Sequence, residues 1–343
     1  MPTEFPMSLL KTIATACLAA VVTVGDLLAA DAPQLVDPLG GALAADRPRV
    51  IVSSDIGGSD PDDMQSFAHL LVYADVLDIE GLIASPPGDG RSKDIHAALD
   101  AYARDYPNLK TYASLYPTPQ KLRELAKQGA AEPWTADGGQ PTEGSQWIIN
   151  QAKRDDPRPL YVCVFGAITD VAQALQDDPS IEPKLRVYFI ASWNQQQDKA
   201  AFAYVDQHHP NLWMIHSNTT FRGMYVGGDQ TGDLGNVTFP EQHVRGHGAL
   251  GDYFWAAKRD IKMGDTPSVL YLLRGNLNDP TQESWGGRYA PRPGRPHWWI
   301  DDPDPAVSGP RGFAGAKSVS KWREHHLRDW QARMDRCLGP KED

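Results

Sequence analysis

Cysteine is scarce in this chain: three in 343 residues, Cys17, Cys163 and Cys337. No Cys/His spacing of the kind that holds zinc is present. Cys163 stands inside an apolar stretch and reads as a small hydrophobe, and Cys337 lies near the end of the chain. Positive charge is also short. Lys and Arg number 33 against 44 Asp and Glu, a net charge of −11 with no basic stripe. That balance argues against nucleic acid as a partner. A long apolar run is missing too. Residues 12–24 are apolar but too few for a membrane span, and Lys11 precedes them. One positive charge, a short apolar region and small residues after it have the shape of a secretory signal. Residues 1–30 are therefore expected to be a signal peptide cut after Ala30, with Ala42–Leu43–Ala44 as a second site of acceptable chemistry. Residues 31–46 read as a linker and residues 47–343 as a single domain. The expected location is the periplasm or outside the cell, without membrane contact once the signal is removed.

Turn formers and acid are plentiful. Ten Trp with 28 Pro and 30 Gly point to long ordered loops and an enzyme-like surface. Acid is concentrated in residues 49–64, RVIVSSDIGGSDPDDM. Val50, Ile51 and Val52 read as a buried strand that ends at Asp55. A glycine turn follows, then Asp60, Asp62 and Asp63 around Pro61. Residues 64–75 read as a helix with Phe67, Leu70, Leu71 and Ala74 on one face. Carboxylates crowded at the C-terminal end of a parallel strand repel one another and are tolerated when a cation sits among them. In open α/β sheets this is also the ligand-binding end. Helix capping, with Pro61 in the first turn, explains one or two of these acids but not Asp55, Asp62 and Asp63 together.

Strand and helix patterns alternate onward. Residues 79–84 read as a strand and 93–105 as a helix closed by Pro107. Residues 109–113 read as a third short strand and 120–127 as a short helix. A helix at 143–155 leads to an apolar strand at 160–165. A helix at 166–175 follows, then strands at 186–191 and 211–216. This order predicts an α/β fold with a mostly parallel central sheet flanked by helices. Residues 274–316 form a Pro/Gly-rich loop region carrying Trp285, Trp298 and Trp299. Trp322, His326, Trp330 and Met334 recur every fourth residue, which predicts a closing helix over 321–337 docked on the core.

With these elements placed, the acidic turn resembles the signature of inosine–uridine-type nucleoside hydrolases. Asp55 matches the Asp at the strand end, Gly57 the Gly, and Asp62 and Asp63 the Asp pair. Residues 58–61 are an insertion between the two halves. The similarity is closer to a divergent branch, the nucleoside-hydrolase-like domain found in cellulose-binding proteins. SSDIGGSDPDDMQS at 53–66, VFGAITDVAQAL at 164–175, GDTPSVLYLLRG at 264–275 and SWGGRY at 284–289 carry it. The resemblance implies Ca²⁺ as cofactor, held by Asp55, Asp63, the carbonyl of Phe165 and Asp265. It implies Asp62 as the general base that activates water on that ion. Three carboxylates and a carbonyl are the hard oxygens Ca²⁺ takes, and glycosidic cleavage passes through an oxocarbenium-like state that carboxylates stabilise.

The chain departs from the hydrolase pattern where sugar and base are read. The hydrolases' Asn after the second strand is replaced by residues 86–90, with Asp89 as the polar candidate. Their Glu-Phe-Asn segment corresponds to Ala201–Phe202–Ala203, and Trp193, Asn194 and Asp198 upstream are the expected substitutes. Their His before the late Asp is Gly264 here, which leaves His247 as the candidate leaving-group acid. Trp285 is the candidate sugar-stacking platform. Asp170 is expected to cap a helix, and Asp60 has no assigned role. Two readings follow. The first is an exported Ca²⁺-dependent hydrolase of N-ribosyl or related glycosidic bonds, acting on a small sugar or nucleoside and extending to polysaccharide. The second is a non-catalytic carbohydrate-binding protein on the same fold. A Mg²⁺ phosphatase reading lacks its Lys or Ser/Thr partner. Homo-oligomers are common among nucleoside hydrolases, and the resemblance extends that expectation to this chain.

Overall fold

The computed structural model describes residues 1, 47–58, 60–86, 91–135 and 137–339. The expected leader and linker at residues 2–46 lie outside the described residues, as does Asp89. Apart from Met1, the described residues fall in one compact unit, Asp37–Asp343. No helix among them is long and apolar enough to cross a membrane.

The strands are β1 (Arg49–Ser54), β2 (Asp78–Ala84), β3 (Ala126–Gln128), β4 (Leu160–Val164), β5 (Leu185–Ile190), β6 (Trp213–Ser217), β7 (Tyr289–Pro291) and β8 (Trp298–Asp301). They form one eight-stranded sheet in the order β3-β2-β1-β4-β5-β6-β8-β7. Every neighbouring pair is parallel except β7 and β8. The chain moves outward from β1 to β2 and β3, then returns to lay β4 on the other side of β1. The direction of winding therefore reverses between β1 and β4, and a crevice opens at the C-terminal ends of strands at such a point.

The helices are α1 (Asp62–Val72), α2 (Ser92–Tyr112), α3 (Pro119–Leu125), α4 (Glu143–Ala152), α5 (Thr169–Asp177), α6 (Trp193–Gln197), α7 (Lys199–His208), α8 (Thr238–His243), α9 (Gly248–Ala257), α10 (Thr266–Leu273), α11 (Ala316–Ser320) and α12 (Arg323–Asp335). Alternate strand residues supply two core layers. Val50 and Val52 of β1 join Phe67, Leu99, Phe254, Leu270 and Trp330 in one layer. Ile51 joins Ile148, Val171, Leu175 and Val205 in the other. Strands buried on both faces read as unbroken apolar runs, which is why β1, β4 and β5 were legible. Cys163 and Cys337 are both buried and free.

Three elements differ from the sequence expectation. Helix α2 runs through Pro107 to Tyr112 instead of giving way to a strand at 109–113. Leu109 is fully buried and continues the face of Ile95, Ala98, Leu99 and Tyr102, so tertiary burial outweighs the backbone bond that proline removes. The helix expected over 120–127 stops at Leu125, and Ala126–Gln128 pairs with β2 as an edge strand. Within 274–316 the chain forms β7 and β8. Trp298 and Trp299 are strand residues, with Trp298 fully buried.

Candidate functional site

Acid gathers beyond the C-terminal end of β1, where the winding reverses. Ser54 ends β1, Asp55 follows it, and the turn beyond uses Gly57 at φ +89°, a left-handed conformation that suits glycine. A Cβ at Gly57 would stand 2.5 Å from the carboxyl of Asp94, so the turn also needs a residue without a side chain. Pro61 then occupies the N-cap of α1 with no side-chain capping bond, and Asp62 and Asp63 form its first turn. Asp265 occupies the N-cap of α10 and makes no capping bond either. Neither helix start uses its carboxylates as caps, so the structural reading of these acids is not realised.

Carboxylate oxygens of Asp62, Asp63 and Asp265 lie within 4.8 Å of one another. Asp55 joins the group through a hydrogen bond shared with Asp63. The Ser54 hydroxyl donates to Asp63, and the Ser66 hydroxyl reaches Asp265 at 3.4 Å. The Phe165–Gly166 segment closes against Asp55: a Cβ at Gly166 would stand 2.8 Å from the Asp55 nitrogen.

Electrostatics set these acids apart. Burial pushes the Asp55 carboxyl up to about 7, with the charges of Asp62 and Asp60 adding to the rise and the bond to Asp63 opposing it. Burial likewise holds Asp62, Asp63 and Asp265 well above the usual carboxylate range, and the charges of neighbouring acids push them further. Asp60 goes the other way. Against the cost of burial, bonds with Asp62 and Lys262 lower it, and the Lys262 ammonium donates to its Oδ1 at 2.6 Å. Carboxylates gathered this closely, with the Ser54 and Ser66 hydroxyls bonded to them, are hard oxygen donors of the kind a divalent cation takes. The residues present therefore fit Ca²⁺.

The other expected residues divide. Asn194 is brought to the site: its Nδ2 donates to the carbonyl of Phe165 and, at 2.9 Å, to that of Ile190. Asp198 is not a sugar contact but a structural acid. It is buried and accepts from Thr169 Oγ1 at 2.6 Å, from the Trp134 nitrogen at 3.0 Å and from the Ala201 nitrogen at 3.0 Å. Trp285 is not a stacking platform. It is 2 % exposed, packs in the core, and has the Arg274 guanidinium 5.4 Å from its ring centroid. The tight SWGG turn draws it inward, since a Cβ at Gly286 would stand 2.2 Å from the Pro267 carbonyl. His247 does not join the carboxylates. Its Nε2 faces Asp335 at 3.2 Å and its Nδ1 the Arg245 carbonyl at 3.2 Å, which ties it to the C-terminal helix. Asp170 does not cap α5. It accepts from Ser85 and Thr142 hydroxyls at 2.6 Å each, joining the end of β2 to the start of α4.

The structure adds residues that sequence reasoning missed. A Cβ at Gly264 would stand 3.1 Å from Asp62 Oδ2 and 3.3 Å from the Phe221 ring, so Phe221 packs where the hydrolases' His is absent. Tyr225 lies close enough to Asp62 and Lys262 to feel both charges. Lys262 stands three residues before Asp265, and that proximity was its sequence signal. Phe221, Arg222 and Tyr225 had none, because they arrive on the 3-10 turn Thr220–Met224 and its end, after β6.

Comparison with known proteins agrees with this geometry. The profile of the family described as "Cellulose-binding Sde182, nucleoside hydrolase-like domain" matches residues 49–289. A nucleoside hydrolase-related hypothetical protein from Saccharophagus degradans that is associated with carbohydrate metabolism is 26% identical. Its structure superposes with a TM-score of 0.67 over 86% of this chain and 73% of that one. The effector protein XOO4466 superposes at 0.50 with 12% identity, over 85% of this chain and 94% of its own. The type III effector XopQ, solved with adenosine diphosphate ribose, superposes at 0.50 with 10% identity, over 87% and 95%. These last two are similar in fold alone. No curated protein matches the chain.

Proposed function

Because the chain belongs to the cellulose-binding Sde182, nucleoside hydrolase-like domain family, we propose that it is a metal-dependent hydrolase of glycosidic bonds, exported by its N-terminal leader. The observation that carries this reading is the acid cluster at the winding reversal, where two helix starts leave their carboxylates uncapped and facing one another. Asp55, Asp63, Asp265 and the Phe165 carbonyl would hold Ca²⁺. When bound, the ion supplies positive charge that acidifies water and open positions that sugar hydroxyls fill.

The chain's own residues do the rest. Asp62 is the base. Its carboxylate takes the proton of the attacking water on Oδ. Gly264 lets Asp62 Oδ2 and the Phe221 ring close up where a side chain would crowd both. Asn194 orients the Phe165 carbonyl through its amide. Lys262 pairs with Asp60 and holds it charged, so that the acid beside the base is neutralised.

A second reading, a carbohydrate-binding protein without turnover, is favoured by one observation. His247, the expected leaving-group acid, is held by Asp335. One experiment separates the two. Ca²⁺ is titrated by calorimetry, and nucleosides and glycosides are screened for hydrolysis. Wild type binds Ca²⁺, and Asp63→Ala weakens binding by at least about 100-fold. Asp62→Asn keeps the ion and lowers turnover by about 10²- to 10⁴-fold. Absence of Ca²⁺ binding in wild type would sink the site assignment. Ca²⁺ binding without hydrolysis of any substrate selects the binding protein.

A further inference from the structure

Arginines in this acid-rich chain are commonly paired with carboxylates, as Arg49 is with Glu80 at 2.8 Å and Arg288 with Asp302 at 2.7 Å. Arg222 is different. Among the described residues it forms no ion pair, although it stands at the acidic end of the sheet. It lies on the turn after β6, next to Phe221, which packs beside Asp62. Its guanidinium carbon is 5.1 Å from the Phe221 ring centroid and 4.9 Å from that of Phe313. Two aromatic faces therefore fix its plane. One Nη donates to Ser192 Oγ at 3.2 Å, the other reaches the Tyr225 hydroxyl at 3.5 Å, and Nε is buried without a partner.

Balancing the acid cluster does not account for this placement. Lys262 does that at Asp60, while Ser192 and Tyr225 hold the Arg222 guanidinium between the β5–α6 edge and the turn. Ser192 itself adopts φ 51° and ψ −109°, a backbone conformation rare outside glycine, with its nitrogen donating to Asn218 Oδ1 at 3.1 Å. Strained backbone persists where the surroundings over-determine it, commonly at ligand clamps. A planar, fixed, unpaired guanidinium is the side chain that matches a carboxylate or phosphate with two parallel N–H bonds. A neutral sugar offers nothing that needs it.

We infer that Arg222 reads an anionic group on the substrate, so that the sugar taken at this site carries a carboxylate or a phosphate. The inference rests on the reading of the acidic crevice as a sugar site. It makes Arg222 a specificity determinant, with Phe313 of the C-terminal tract and Phe221 as its supports.

The test is calorimetry with saturating Ca²⁺ and four probes: D-galacturonate, D-galactose, D-ribose 5-phosphate and D-ribose. Wild type binds an anionic sugar about tenfold or more tighter than its neutral parent, a difference of about 1.4 kcal/mol. A preference for galacturonate identifies the carboxylate, and one for ribose 5-phosphate the phosphate. Arg222→Gln abolishes the preference and leaves Ca²⁺ affinity and neutral-sugar affinity unchanged. Arg222→Lys keeps charge but not the fork and retains a reduced preference, which guards against a glutamine variant that fails to fold. Equal affinity for neutral and anionic sugars in wild type overturns the inference, as does a preference that survives in Arg222→Gln. Arg222-dependent anion binding that ignores Ca²⁺ overturns the metal-site reading and keeps this one. Binding of none of the four probes removes both.

Discussion

At the scale of single residues, the candidate site depends on groups that support the carboxylates as much as on the carboxylates. Ser54 is the clearest. It is fully buried, its hydroxyl donates to Asp63, and it accepts from the Ile56 nitrogen at 3.0 Å. That chain of bonds ties the end of β1 to α1 and fixes the direction in which Asp63 points. Such supporting partners tune metal affinity by about 10- to 100-fold. Ser54→Ala is therefore expected to weaken Ca²⁺ binding by about that factor and, by stripping Asp63 and the Ile56 nitrogen of a buried partner, to destabilise the metal-free protein by about 1–3 kcal/mol. An unchanged Ca²⁺ affinity would show that Asp63 is not oriented by this bond. The acids themselves were legible in the sequence, because like charges packed behind glycines violate what a helix cap needs. Trp285 and Asp198 were misread for the opposite reason: nothing in a sequence distinguishes a tryptophan in a loop from one drawn into the core, or a free carboxylate from one saturated by hydroxyl and amide donors.

At the scale of elements, what was legible followed from burial on both sides. The apolar runs of β1, β4 and β5 and the helical spacing of α1 and α12 could be read directly. The continuation of α2 through Pro107 could not, because local propensity pointed the other way and only packing of Leu109 decides it. Nor could β7 and β8, whose pairing depends on β6 rather than on their own short sequences. The short helix α6 is the element with most bearing on ligands. It follows Ser192 directly and carries Asn194, which touches the Phe165 carbonyl, and Trp193, which is 68 % exposed beside it. On the proposed reading of the site as one for sugar, the exposed Trp193 indole is the candidate stacking surface that Trp285 does not provide. An aromatic face contributes about 1 kcal/mol in such contacts, so Trp193→Ala is expected to weaken sugar binding roughly fivefold. The melting temperature should not move, because the ring buries little. Sugar affinity equal to wild type would remove Trp193 from the site.

At the scale of the whole molecule, the C-terminal helix closes the core layer beneath the acids, and it does so by burying histidine. Trp330 of α12 stacks on Phe239 at 5.4 Å between ring centroids and lies 5.6 Å from His69 of α1. His69 is 1 % exposed with an unpartnered Nδ1, and burial, aided by the nearby Arg333 charge, lowers its pKa from 6.5 to about 3. The folded chain thus keeps His69 neutral where the unfolded chain protonates it. Its contribution to stability is complete above about pH 6.5 and is lost as pH falls towards 3, because the unfolded state binds the extra proton. The acid cluster runs in the opposite sense, since carboxylates with raised pKa favour the folded state as pH falls. A single melting curve against pH therefore mixes the two. The difference between wild type and His69→Phe separates them, because both proteins carry the same carboxylates. That difference should be constant above about pH 7 and move in favour of His69→Phe as pH drops from about 6.5 to 4, as read by differential scanning calorimetry in one buffer series. Parallel curves over that range would mean that His69 takes up its proton in the folded protein and that the seam between α1 and α12 admits solvent.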